Sequence, residues 1–307
     1  MSSLYMWDKF SIGGNQSSIL PRSLGGGGGQ TPQNEIENGS FATDVTGWTS
    51  ARSGIVTHVA TDGGRMRVTT TGAQTYGGAV TALDTVEGHV YEITGTLKAL
   101  IGGGFGFMTL STGATSFDTI EIARPIGDNV PITGTHYHLG TGDTVYIHCF
   151  ADSVNGEWAE FDDISVTDMG VNLVTAGNNG LFTTDVIGWV PTLATTSLSS
   201  GALAVTKSGA AGQGRAYAAF PTVIGNTYFV QARATAFNTV FSMLVGTSPS
   251  AITPEYLRIA NGAGVVADYK GTFVATETTA YFYMLTGSTN GNILIVDNVV
   301  AADLGVL

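Results

Sequence analysis

The chain has 307 residues, of which 43% are apolar, and its 24 acidic residues outnumber its 12 basic ones to give a net charge of −12. A chain this apolar buries a core instead of staying disordered, and its few lysines and arginines exclude direct binding to nucleic acid or to an anionic membrane, which needs basic side chains. The single cysteine excludes an internal disulfide, and no run approaches the ~18 apolar residues of a membrane-spanning helix.

Residues 1–34 are predicted to form an N-terminal arm and tether. Tyr5, Trp7, Phe10 and Ile12 lie close together, and five consecutive glycines, Gly25 to Gly29, follow them. A glycine run behaves as a flexible coil. An arm this short cannot build its own core, so we expect its aromatic side chains to anchor the chain in a partner protein. The alternative is that the arm packs back onto the first domain. No signal peptide is predicted.

An eleven-residue phrase occurs twice in the chain. NGSFATDVTGW at Asn38 to Trp48 returns as NGLFTTDVIGW at Asn179 to Trp189, with eight identical positions. The spacing between the two copies is far longer than the 20–50 residues of a solenoid or propeller unit, so it indicates a duplicated domain. The two tryptophans occupy the same place in each copy, and we interpret them as core residues.

Three later segments repeat in the same order, at a spacing that shortens slightly along the chain, as loops of unequal length would cause. We therefore predict a first domain at 35–170 and its duplicate at 171–307. The matched segments are Gly64 to Gly72 with Gly201 to Gly209, Gly88 to Ala99 with Gly225 to Ala236, and Phe161 to Gly170 with Val296 to Gly305.

The repeated segments predict β-strands. Met66, Val68 and Thr70 alternate with Arg67 and other polar residues, which is the period of a half-buried strand. Many short strands in each copy, separated by glycine and asparagine turns such as the Asn-Gly pairs at 38, 155, 179, 261 and 290, indicate antiparallel sandwiches. The predicted fold is all-β, with two tandem jelly-roll β-sandwich domains preceded by an extended N-terminal arm.

The order of motifs resembles the jelly-roll carbohydrate-binding modules appended to bacterial glycanases. The motifs are the N-G-x-F opening with its tryptophan, the G-x-x-Y strands that begin at Gly88 and Gly225, and the Asp pair or Asp-Asn pair of the closing strands. The resemblance covers both domains but not the arm. It implies a sandwich of eight to ten strands, a glycan site on the concave sheet or at loop tips, and a structural Ca²⁺ near the first and last strands.

Three aromatic residues are the candidates for glycan contact. Tyr76 and Tyr217 stand in matched places of the repeat, in a strand that the resemblance puts on the concave face. Trp158 lies in a turn before the last strand of domain one and has no counterpart in domain two. Packing in the core or in a loop is the alternative for each. Arg65, Arg67 and Arg215 are further candidates for binding sugar hydroxyls or acidic glycans, with a solvated strand face as their alternative.

Metal binding has two candidate locations. Asp162 and Asp297, in the closing strands, are where the resemblance implies Ca²⁺. The carboxylate expected after the motif phenylalanine is absent, however, because Ala42 and Thr183 stand there. The alternative is an edge carboxylate bonded to backbone. His136 and His138 share one strand face, but the spacing implies no third ligand, so we do not predict a zinc site.

The sequence contains no catalytic motif. An acidic cluster near the last strand of domain one has no equivalent in domain two, so we predict that the protein is not an enzyme. An arm, a tether and adhesive sandwiches resemble the architecture of bacteriophage decoration and fibre proteins, a resemblance of architecture and not of sequence motif. We therefore predict a virion structural protein, present in multiple copies or as a homo-oligomer, whose arm binds capsid or tail and whose sandwiches bind host glycan. A secreted tandem carbohydrate-binding module and a shell cement without glycan affinity are the alternatives.

Overall fold

The computed structural model describes residues 34–306 except 73–75, 101–105, 116–119, 124–130, 153, 176, 178–179, 210, 250–254 and 263–265. All twenty elements with defined bounds are β-strands, and their pairings are antiparallel. The predicted all-β fold with two tandem sandwiches is therefore confirmed. The predicted arm, with Tyr5, Trp7, Phe10 and Ile12, lies outside the described residues. No helix among the described residues is long and apolar enough to cross a membrane.

Sandwich one contains ten strands in two five-stranded sheets, with the orders β1-β4-β9-β6-β7 and β2-β3-β10-β5-β8. The strands are β1 Thr49–Arg52, β2 Gly54–Val59, β3 Arg65–Thr70, β4 Gly77–Asp84, β5 His89–Leu100, β6 Phe107–Ser111, β7 Ile120–Ala123, β8 Ile132–Leu139, β9 Thr144–Ala151 and β10 Trp158–Val171.

Sandwich two repeats this topology, with sheet orders β11-β14-β19-β16-β17 and β12-β13-β20-β15-β18. Its strands are β11 Val190–Thr192, β12 Ala194–Ser199, β13 Ala202–Lys207, β14 Arg215–Pro221, β15 Thr227–Phe237, β16 Phe241–Gly246, β17 Glu255–Gly262, β18 Ala267–Val274, β19 Thr279–Leu285 and β20 Ile293–Gly305. Both sandwiches belong to one compact unit.

Alternation along the strands builds each core. In β3, Met66 and Val68 are fully buried while Arg65 and Arg67 on the opposite face are half-buried, as period-two patterning requires. The same alternation separates a core-facing set from an outward-facing set on each sheet, and we call the outward-facing side the outer face of that sheet. Functional side chains are therefore sought on the outer faces.

The repeated opening phrase closes each sandwich against its last strand. A Cβ at Gly39 would lie 1.8 Å from the Ile164 carbonyl oxygen, and a Cβ at Gly180 would lie 2.1 Å from the Val299 carbonyl oxygen. Only glycine permits this approach, which explains the glycine of the N-G motif. The phrase then buries its aromatic residues, and Trp48 is only 6% exposed, in agreement with its predicted core role.

The two sandwiches pack against each other through an apolar cluster. Its centre is Tyr137 of β8, whose ring stacks on Phe229 of β15 with centroids 3.7 Å apart. Val90 and Leu139 of sandwich one and Val300 of sandwich two are buried in the same cluster. This contact uses only part of the outer faces of the sheets that contain β10 and β20, at β5, β8 and Met169 of β10 in sandwich one. The outer faces of the other two sheets lie outside the cluster.

Candidate functional site

A cavity of about 250 Å³ lies at the edge of the outer face of the sheet that contains β14 and β19. We call it the sandwich-two cavity. Gln213, Arg215 and Thr192 supply polar groups to its lining, and Leu193 and Leu285 supply apolar groups. The cavity forms because β11 ends at Thr192 beside Arg215 on β14, and the backbone at Leu193 then turns away with a φ of 53°.

A row of tyrosines continues from the sandwich-two cavity along the same outer face. Tyr217 lies two residues after Arg215 on β14, and its ring centroid is 5.5 Å from that of Tyr283 and 6.0 Å from that of Tyr281. Tyr283 is fully buried and donates its hydroxyl hydrogen to the Ser248 carbonyl oxygen. Burial raises the pKa of Tyr283, against a smaller opposing effect of the nearby Arg215 guanidinium. Tyr217 and Tyr281 remain half-buried beside the cavity.

Register shows which residues of sandwich one correspond to the cavity lining. The Val86 N–H donates to the Tyr91 hydroxyl at 2.8 Å, and the Val223 N–H donates to the Tyr228 hydroxyl at 2.7 Å, so this connection is the same in both copies. The strands that precede this connection, β4 and β14, therefore correspond residue by residue, with the same difference in residue number as between Val86 and Val223. On that basis Tyr76 corresponds to Gln213, Gly78 to Arg215 and, through the β9 and β19 pairings, Phe150 to Leu285.

Aromatic side chains fill the corresponding place in sandwich one. The Tyr76 ring meets the Phe107 ring edge-on at 5.3 Å, and the Phe107 centroid lies 4.9 Å from that of Phe150. The Arg52 guanidinium carbon lies 6.0 Å from the Phe150 centroid, and Phe150 is fully buried. Aromatic packing thus occupies in sandwich one the position that corresponds to the cavity of sandwich two.

The predicted equivalence of Tyr76 and Tyr217 is wrong. Tyr217 lies opposite Tyr283 in the β14–β19 ladder, and the residue that lies opposite His148 in the β4–β9 ladder is Val80. Tyr217 therefore corresponds to Val80, and Tyr76 precedes its strand. Tyr217 lies on the outer face of its sheet, and Tyr76 lies beside the equivalent sheet of sandwich one.

Trp158 lies on a different surface. It is the first residue of β10, half-buried, and the Arg67 guanidinium carbon lies 4.1 Å from its ring centroid. This is the outer face of the sheet that contains β3 and β5. The structure therefore does not bring Tyr76, Trp158 and Tyr217 into one site. They belong to three separate surfaces, and their glycan-binding role stays a prediction.

The two aspartates predicted near Ca²⁺ lie at equivalent bulges in β10 and β20. Asp162 accepts a hydrogen bond from its neighbour's N–H at 2.8 Å, as Asp297 does at 2.7 Å. The Lys98 ammonium lies 3.5 Å from Asp162, and burial raises the pKa of Asp297 to about 6. No group of three or more metal-ligating side chains occurs among the described residues. Ca²⁺ prefers six to eight oxygen ligands, and its binding at Asp162 and Asp297 stays a prediction.

The sequence identifies Arg215 in the cavity lining and Tyr217 beside it as candidates, but it does not identify the other four lining residues. Thr192, Leu193 and Leu285 are small or apolar residues with no chemical signal of their own. Gln213 could have been found from the sequence. The repeated segments on both sides of it are related by one constant difference in residue number, and that difference makes Gln213 the equivalent of Tyr76. The informative feature is the difference between the copies at this position, and the strand register confirms the correspondence.

No family model and no curated protein matches the chain. Among solved structures, the N-terminal CBM22-1–CBM22-2 tandem domain of Paenibacillus barcinonensis Xyn10C is 14% identical, with 90% of this chain and 99% of that one covered at a TM-score of 0.37. A xylan-binding domain from CBM 22 is 16% identical over 44% of this chain and 95% of that one, with a TM-score of 0.36. The enzymatically active domain of tailspike protein 4 from bacteriophage CBA120 is 12% identical over 44% of this chain and 21% of that one, with a TM-score of 0.32.

Proposed function

We propose that this chain is a non-catalytic glycan-binding protein and that the sandwich-two cavity is its binding site. The observation that carries the proposal is the difference between the copies. Sandwich two keeps a cavity lined by Arg215 and Gln213 where sandwich one is filled by Tyr76 and Phe150. An apolar pocket with a few convergent polar groups is the usual form of a small-molecule site.

The lining suits a sugar. Arg215 and Gln213 offer N–H donors, Thr192 offers a hydroxyl, and Leu193 and Leu285 offer apolar surface to the C–H groups of a pyranose ring. A volume of about 250 Å³ is below the ~300–1,000 Å³ of drug-sized sites, so the cavity holds about one sugar ring, and Tyr217 and Tyr281 contact the neighbouring unit of a longer glycan.

The lining also supports a non-catalytic role. Glycoside hydrolysis requires a pair of carboxylic acids on the two sides of the scissile bond. No Asp or Glu is among the five residues that line the cavity. The site is therefore equipped to bind a sugar and not to cleave it.

The test fills the cavity with the residues that sandwich one uses. Gln213→Tyr combined with Leu285→Phe places the equivalents of Tyr76 and Phe150 in sandwich two. On a glycan array, we expect this double variant of the full chain to lose the signals that depend on the cavity and to bind less glycan than the unmodified protein. Thermal unfolding of both proteins checks that the fold is kept.

The reciprocal variant is the matched control. Tyr76→Gln combined with Phe150→Leu makes changes of the same kind in sandwich one and is expected to leave the glycan signals at the cavity unchanged. Full glycan binding by the cavity-filled variant contradicts the proposed site, and silence of the unmodified protein on a broad array contradicts the proposed function.

The setting that we propose for this binding is a bacteriophage virion, on a capsid decoration, head fibre or tail fibre. The support comes from the sequence, in which an apolar arm with Trp7 and Phe10 precedes a glycine tether and two sandwiches. The arm binds capsid or tail and the sandwiches face outward. Many copies on one particle convert a weak sugar contact into avidity.

The arm is tested separately from the cavity. Purified particles are analysed by mass spectrometry after expression of the full chain, of a deletion of residues 1–24 and of a Trp7→Ala, Phe10→Ala variant. Loss of incorporation in both variants is the expected result. Incorporation without the arm contradicts its anchoring role. Glycan binding by a chain that never associates with particles favours the secreted tandem module, and incorporation without glycan binding favours a cement.

A further inference from the structure

We propose that sandwich one carries a second glycan-binding surface, distinct from the sandwich-two cavity, on the outer face of the sheet that contains β3 and β10. We call it the sandwich-one platform and define it by Arg65, Arg67, Trp158 and Glu160. It takes a neutral oligosaccharide that lies flat across the strands.

A buried carboxylate organises the platform. Glu160 on β10 is 3% exposed. Its two oxygens accept hydrogen bonds from Arg65 at 3.0 Å and from the Arg67 Nε at 3.0 Å and Nη2 at 2.5 Å. Paired, charge-assisted bonds of this kind fix the planes of both guanidinium groups. The result is a rigid pair of guanidinium groups that keep N–H donors beyond those bonded to Glu160, and such donors suit the hydroxyl groups of a sugar.

Trp158 supplies the apolar element. The Arg67 guanidinium carbon lies over its ring, 4.1 Å from the centroid. The tryptophan side chain is half-buried, and Arg67 keeps 33% of its side-chain surface exposed. An indole supported in this way is restricted in rotation, so it presents a pre-organised apolar surface at low entropic cost.

Sandwich two shows that stability does not require this cluster. By strand pairing, Arg65 and Arg67 correspond to Ala202 and Ala204, while Trp158 and Glu160 correspond to Ile293 and Ile295. The duplicate fold thus forms with small and apolar residues at all four positions. Replacing a buried ion-pair network by apolar residues is often neutral or stabilising, so the network in sandwich one points to binding.

The surroundings favour a neutral ligand. Lys98 on β5 lies 2.8 Å from Asp163 and 3.5 Å from Asp162, and Arg65 also binds Asp62 at 2.8 Å. The basic groups of this face therefore all have acidic partners. From β3 across β10 to β5 the face is roughly 10 Å wide at the usual strand spacing, which is about the length of a disaccharide.

The test uses the full chain with the sandwich-two cavity filled by Gln213→Tyr and Leu285→Phe. This background is applied to an array of neutral and acidic oligosaccharides, and the bound neutral oligosaccharide is titrated by calorimetry. We expect residual binding to a neutral oligosaccharide, reduced about tenfold by Trp158→Ala and reduced likewise by Arg67→Met. Ile293→Ala, at the position equivalent to Trp158 in sandwich two, is the control and leaves the residual binding unchanged.

The outcomes separate this proposal from the proposed function. The platform is overturned if the cavity-filled chain binds no oligosaccharide, even when the unmodified protein binds glycan through the cavity. It is also overturned if adding Trp158→Ala to the cavity-filled chain leaves the affinity unchanged. If the cavity-filled chain binds only acidic oligosaccharides, the proposal that the ligand is neutral is overturned. Trp158→Phe keeps an aromatic surface and is expected to recover part of the affinity, which excludes loss of folding as the cause.

Discussion

The ring of Tyr137 in sandwich one stacks on the ring of Phe229 in sandwich two, with centroids 3.7 Å apart and planes inclined by 21°. Polar contacts surround this stack. Glu92 accepts the Tyr137 hydroxyl hydrogen at 2.5 Å, and the Lys270 ammonium donates to the Thr135 carbonyl oxygen at 3.2 Å. The two duplicated bodies therefore share a small core of their own.

Removing one ring of this stack is expected to uncouple the sandwiches. Phe229→Ala deletes buried apolar surface and should lower the free energy of unfolding by roughly 3 kcal/mol. Because each sandwich keeps its own core, we expect calorimetry to show two separate transitions in place of one coupled transition. Tyr137→Phe keeps the stack, loses only the bond to Glu92 and should retain the coupled transition. A single unchanged transition in Phe229→Ala would show that the stack does not couple the two bodies.

Much of the fold can be predicted from the repeated sequence segments, because the two copies share the order of their strands and the period-two patterning of segments such as Met66 to Thr70. The Asn-Gly pair at 261 predicts a turn, yet it lies within β17, where Asn261 pairs with Ser242. Pairing with β16 outweighs the local turn preference there. The site is less predictable from the sequence, because the spacing of the opening phrase pairs Tyr76 with Tyr217, whereas the strands around Tyr76 follow the shorter spacing that relates Val86 to Val223.

The histidines on the inner face of β8 predict a dependence of stability on pH. Burial lowers the pKa of His136 to about 3 and that of His138 to about 4, from an ordinary 6.5. The unfolded chain binds protons that the folded chain does not, so this contribution to stability is complete above pH 6.5 and is lost as the pH falls toward 4. For one histidine the slope reaches about 1.4 kcal/mol per pH unit.

Urea unfolding at pH 7.0, 5.5 and 4.5 checks this dependence. Asp297 acts in the opposite direction, because its pKa is raised to about 6 and its protonation favours the folded state on acidification. The comparison is therefore made with His138→Phe, since sandwich two carries Phe273 at the equivalent position. That variant should lose less stability between pH 7.0 and 4.5 than the unmodified chain. Equal losses would contradict the assignment.

The glycine of the opening phrase is expected to tolerate no side chain. Gly39→Ala places a Cβ 1.8 Å from the Ile164 carbonyl oxygen, and the Ile164 N–H, which donates to the Gly39 carbonyl oxygen at 2.9 Å, holds the two backbones together, so we expect a loss of roughly 3 kcal/mol or more. Gly63 has a φ of 94° and open space around it. Gly63→Ala therefore tests conformational strain alone and should cost about 1 kcal/mol. Chemical denaturation measures both, and similar losses would show that the close approach relaxes easily.

The single cysteine offers a reporter for sandwich one alone. Cys149 is fully buried in the core on β9, and burial raises the pKa of its thiol well above the ordinary value. Because only an accessible thiolate reacts with disulfide reagents, native protein should react with dithionitrobenzoate only when sandwich one opens. The reaction rate is then expected to rise in Gly39→Ala, which weakens sandwich one. The equivalent change in sandwich two, Gly180→Ala, should raise it much less. Rapid labelling of the unmodified native protein would contradict the burial of this thiol.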